Sequence, residues 1–66
     1  MLFRVTVTIG FLDGSARPFV FIMPAINEDD VREQVTREYV LTNLKHDWGK
    51  PIQDVIVVKA EAVERT

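Results

Sequence analysis

Phe3, Val5, Val7, Ile9 and Phe11 alternate with Arg4, Thr6, Thr8 and Gly10. A period of two sends successive side chains to opposite faces, so residues 2–12 read as a half-buried strand with its Phe/Val/Ile face inward. Asp13-Gly14 turns the chain back into a second β-rich run, Phe19 to Met23. Two registers compete for this hairpin. A two-residue type I′ turn puts Val20 and Ile22 on the core face and leaves Phe19, Phe21 and Met23 outside. A type I turn with a Gly bulge reverses that assignment, because a one-residue slip swaps the face of every side chain. The bulged register buries the larger residues and is preferred. In either register the strand is apolar on both faces. Pro18, which has no N–H to give, suits an edge strand.

Asn27 suits a helix N-cap, and Glu28, Asp29 and Asp30 set carboxylates at the positive end of the helix dipole. The pattern predicts one helix over about 28–44. Glu28/Arg32 and Glu33/Arg37 form (i, i+4) pairs on it. Lys45 and His46 fall at its C-terminal end, and Gly49 and Pro51 prevent continuation. The helix's apolar residues make two stripes. Val31, Val35 and Tyr39 share one; Val40, Leu41 and Leu44 lie on another side, with Trp48 just beyond. One sheet face covers a single stripe of about 100°. The second half of the helix must therefore bend or touch something else. Residues 52–63 give a third strand, where Val55, Val57 and Val63 alternate with Ile56, Val58, Ala60 and Ala62. It too is apolar on both faces over its first half.

The expected fold class is α+β: a single compact domain over residues 1–66, in the order ββαβ. A right-handed crossover sets the third strand beside the first. That gives a three-stranded antiparallel sheet in order 2-1-3, with one helix packed on one face and the other face open.

Composition narrows the function. The chain has 66 residues, 47% hydrophobic and 27% charged. A domain this short buries only about 60% of the surface its unfolded chain exposes. Such domains lean on disulfides, a metal or association. There is no Cys and only one His, His46. Disulfides and thiolate zinc sites are thus excluded, and association is the support that remains. Neither metal nor cofactor is expected. A net charge of −2 argues against nonspecific nucleic-acid binding, which works by neutralising phosphates. The longest apolar run, Pro18 to Ile26, falls short of the roughly 20 residues that span a bilayer. The first residues carry a strand pattern and no secretory signature. A soluble, cytoplasmic protein is the expectation.

Candidate chemistry is sparse. Glu28, Asp29, Asp30 and Glu33 point in different directions on a helix and cannot converge on one ion. His46-Asp47 is the only adjacent His-carboxylate pair, and Ser15, the only Ser, has no reason in sequence to meet it. A triad needs all three groups in contact within a pocket. No catalytic residues are expected, and the glycines at 10, 14 and 49 are too dispersed for a phosphate loop. The open face and strand edges are the leading candidates, because contiguous exposed apolar area marks interfaces. The expected contact residues are Phe19, Val20, Phe21, Ile22, Leu44, Trp48 and Val58. This reading makes the chain a non-enzymatic interaction module, homodimeric and an accessory or regulator of another protein. The alternative is a small nucleic-acid-binding protein that uses Arg4, Arg17 and Lys59 with aromatics on the sheet face.

Overall fold

The computed structural model describes residues 1–44 and 46–63. Its elements are β1 (Leu2–Phe11), β2 (Ala16–Pro24), α1 (Glu28–Gln34), α2 (Arg37–Asn43) and β3 (Ile52–Val63). The three strands form one antiparallel sheet in order β2-β1-β3. The α+β class and the strand order agree with the pattern of the sequence. The single helix and the order ββαβ do not, since two short helices give ββααβ. Lys45, placed above at the helix C-terminus, lies outside the described residues.

The hairpin adopts the bulged register. Gly14 N–H donates to Phe11 O at 3.0 Å, and Phe11 N–H donates to Ser15 O at 2.9 Å, closing a three-residue loop. Gly14 sits at φ +89°, a conformation in which a side chain would be strained. Beyond the loop, Val7 faces Phe19, Val5 faces Phe21 and Phe3 faces Met23. All six belong to the covered face. Val20 and Ile22 belong to the open one.

The predicted helix breaks at Val35-Thr36. Both residues are β-branched and weak helix formers. Val35 N–H still closes onto Val31 O, but Thr36 is extended and its hydroxyl accepts from Tyr39 N–H, capping a second helix. The break resolves the two-stripe conflict, since Val31, Val35 and Val40 all reach the core. It also removes the Glu33/Arg37 pair. Arg37 instead approaches Glu38 at 3.6 Å, while Glu28–Arg32 forms as expected at 3.2 Å. Asn27 caps α1 through Asp30 N–H at 2.8 Å.

β3 carries two irregularities. Thr6 faces Lys59 but Val7 faces Val57, and Gly10 faces Asp54 but Phe11 faces Ile52. Val58 and Gln53 are thus extra residues, each shifting the alternation by one. Ile52, Val55, Val57 and Ala60 come to the covered face; Asp54, Ile56, Lys59 and Glu61 come to the open one. The helices lie over β1 and β3. Around Val5, Val7 and Ile9, the core gathers Phe3, Phe11, Met23, Val31, Val40, Trp48 and Ile52. No helix among the described residues is long and apolar enough to cross a membrane.

Ile9 is fully buried, whereas Ile56 is 58% exposed on the open face. Ile9→Ala should destabilise the fold by about 2–5 kcal/mol. Ile56→Ala should stay within about 0.5 kcal/mol of the parent. Urea unfolding of both variants checks the assignment of faces.

Candidate interaction surface

On the open face, the register sets side chains in rows across the three strands. Pro18, Thr8 and Ile56 make one row, Val20, Thr6 and Lys59 the next, and Ile22, Arg4 and Glu61 a third. The β2 side of this face is apolar, the centre polar and the β3 side mixed. Val20 and Ile22 are 53% and 52% exposed. Val58 is 57% exposed at the bulge of β3. Lys59 and Glu61 approach to 3.5 Å, a surface pair that contributes little. Gly10 is matched to its neighbour, since a Cβ there would collide with the Asp54 carboxylate.

The covered face holds an aromatic cluster along β2. Trp48 meets Phe19 edge-on at 4.9 Å and His46 at 4.5 Å, and Phe19 lies 5.2 Å from His46. Phe21 extends the cluster to Tyr39 at 6.3 Å, and the Arg17 guanidinium stands 5.9 Å from the Trp48 ring. Tilted and edge-on rings and a cation over an indole face are each modestly favourable. Trp48 is buried here as a lid on the core. Phe19, Phe21 and Leu44 are half-buried against it.

The seven expected contact residues therefore divide. Val20, Ile22 and Val58 are exposed; Phe19, Phe21, Trp48 and Leu44 pack with the core. The three cations of the nucleic-acid alternative divide too. Arg4 and Lys59 share the open face, whereas Arg17 lies on the opposite face with both phenylalanines. Among the described residues no aromatic platform forms on the open face.

The strand edges differ from one another. Each antiparallel residue directs its N–H and C=O to the same side, and successive residues alternate. Bonds from Phe11 to Ser15 and from Ala25 to Met1 fix the parity at the two ends of the β1–β2 ladder. Odd-numbered β2 residues bond β1; Ala16, Pro18, Val20, Ile22 and Pro24 direct their backbone outward. On the opposite edge, Arg32 Nη1 donates to Val57 O at 2.9 Å and Arg37 Nε donates to Ile52 O at 2.8 Å. Two helix arginines thus cap the β3 edge. Among the described residues nothing comparable reaches the outward groups of Ala16–Pro24. Sequence reasoning missed both arginines, because α1 and α2 meet β3 only through the fold.

Ser15 and His46 do not meet. Ser15 Oγ donates to Asp13 Oδ1 at 2.5 Å and accepts from Lys50 Nζ at 2.7 Å, while Lys50 also donates to Asp13 Oδ2 at 2.9 Å. Asp47 accepts from Gly49 N–H at 3.0 Å. Both carboxylates work as ties in loops. The Ser15 hydroxyl, then the Ser15 N–H and Lys50, hold the Asp13 carboxyl well below its ordinary value of 3.8. Among the described residues no group of His, Cys, Asp and Glu is placed to hold a metal ion.

Comparison with protein families, with characterised proteins and with solved structures finds no match to this chain.

A depressed carboxylate favours the folded state above its ordinary pKa, and that contribution is lost as pH falls below it. Asp13→Asn should flatten the loss of stability between about pH 5 and 2. Urea unfolding across that range measures it; an unchanged acid limb contradicts the assigned tie.

Proposed function

We propose that the chain is a small non-enzymatic interaction module, self-associating, that acts in the cytoplasm as an accessory or regulator of another protein. The observation that carries this reading is the one-sided cover of the sheet. Both helices lie on one face; the other leaves Val20, Ile22 and Ile56 more than half exposed, and Val58 is equally exposed at the β3 bulge. Apolar residues grouped on one face of a small domain suit a protein partner. Protein is favoured over nucleic acid as that partner, because Phe19 and Phe21 lie away from the open face and Arg17 stacks on Trp48. Among the described residues the oppositely charged groups that meet do so as solvent-exposed pairs on the helices, on β3 and, for Asp13–Lys50, between loops. This supports the non-enzymatic part of the reading.

Sedimentation equilibrium at tens of micromolar should return twice the 7.6 kDa chain mass. A single species of 7.6 kDa over that range contradicts self-association. For the second partner, the paired substitutions Ile56→Lys and Val58→Lys should abolish binding of a host protein captured by the parent chain. Equal capture by parent and variant contradicts the open face as its docking surface.

A further inference from the structure

We infer that the free edge of β2 is the self-association site, where a second copy of this chain adds its own β2 antiparallel to form a continuous six-stranded sheet. The inference rests on the self-association proposed above and names its site.

Four observations converge on that edge. The β3 edge is closed by Arg32 on Val57 O and Arg37 on Ile52 O and is distorted by two bulges; both are devices that block strand addition. Among the described residues the β2 edge carries neither. Its outward N–H groups at Val20 and Ile22 are bracketed by Pro18 and Pro24, which have none, so a short central segment is available to an added strand.

The segment Pro18–Pro24 holds no charged residue, so two copies meet without like-charge contact. A register with Phe21 on the two-fold axis opposes Val20 to the partner's Ile22 in a complete two-bond ring, twice over by symmetry. It also opposes Pro18 to the partner's Pro24, so no donor is stranded.

Charge complementarity points the same way. In that register Arg17 lies opposite the partner's Ala25, beside the acidic first turn of the partner's α1, where Glu28, Asp29 and Asp30 are clustered. The contact occurs at both ends of the paired strands. On the covered side, the two helices pack over β1 and β3 and leave Phe19 and Phe21 half-buried. Across the axis Phe21 would meet its own counterpart, and Phe19 would lie opposite the partner's Met23.

Geometry also limits the assembly to two. A two-fold contact consumes the β2 edge of both copies, and the edges that remain are the arginine-capped β3 strands. The sheet therefore closes as a dimer and does not extend into a filament.

The test is sedimentation equilibrium on three variants, with far-UV circular dichroism to confirm folding. Val20→Pro removes an outward N–H while leaving the β1 ladder intact, as Pro18 already does. Losing two hydrogen bonds per dimer should weaken association about tenfold or more. Ile22→Lys, an exposed change that spares every backbone bond within the fold, should weaken it similarly by setting cations close together across the axis. Ile56→Lys, on the far side of the open face, should leave the dimer unchanged. A parent chain that is monomeric overturns both the self-association and this site. A dimeric parent whose Val20→Pro and Ile22→Lys variants remain dimeric, or whose Ile56→Lys variant dissociates, overturns the edge assignment alone. Growth beyond the dimer overturns the closure.

Discussion

The three-residue loop Leu12-Asp13-Gly14 constrains the rest of the molecule. Gly14 at φ +89° lets the loop close on Phe11 and Ser15 with one residue more than a tight turn would hold. That residue fixes the parity of β2. Phe19, Phe21 and Met23 are sent under the helices, and Val20 and Ile22 into solvent. The same parity turns the nitrogens of Pro18 and Pro24 toward the free edge, where their missing hydrogens cost no ladder bond. Core composition, open-face composition and edge chemistry follow from one turn. Asp13 and Ser15 reinforce it locally, and Lys50 joins it to the loop before β3.

A second constraint acts on the helical segment. One continuous helix would carry its two apolar stripes to different sides, and the domain has only one sheet face to offer them. The chain spends a Val-Thr step on a break, and Thr36 repairs part of the loss by capping α2. The break frees Arg37 from an (i, i+4) partner on the same helix and lets it reach Ile52 O. Helix geometry and sheet-edge protection are thereby coupled: Arg37, beyond the break, covers Ile52 O, while Arg32 on α1 covers Val57 O.

Much of this could be read from the residues. The alternation of β1, the Asn27 cap with its acidic first turn, and the bulged hairpin register are local signals, and the structure follows them. The conflict between helix stripes was also visible, with bending as one of its two resolutions. The site of the bend was harder. Thr36 followed by Tyr39 is a weak capping signal that sits inside an otherwise good helical pattern. The bulges of β3 leave no mark on a run such as Val55-Ile56-Val57-Val58, where every residue is apolar and either parity looks acceptable. Trp48, expected as a contact residue, is buried instead, and its contacts with Phe19 and Arg17 join segments far apart in the chain. Of the expected contact set, Val20, Ile22 and Val58 lie exposed, while Phe19, Phe21, Trp48 and Leu44 pack with the core. Within β2 the parity set by the loop decided the division.

The central claim is that β2 presents its outward backbone to a second copy. Amide hydrogen exchange on the parent chain, resolved residue by residue and repeated over a range of concentrations, tests it most directly. Val20 and Ile22 should exchange rapidly at high dilution and become protected as concentration rises, while the amides of β1 stay protected throughout. Rapid exchange at Val20 and Ile22 under conditions where the dimer is fully formed would contradict the account.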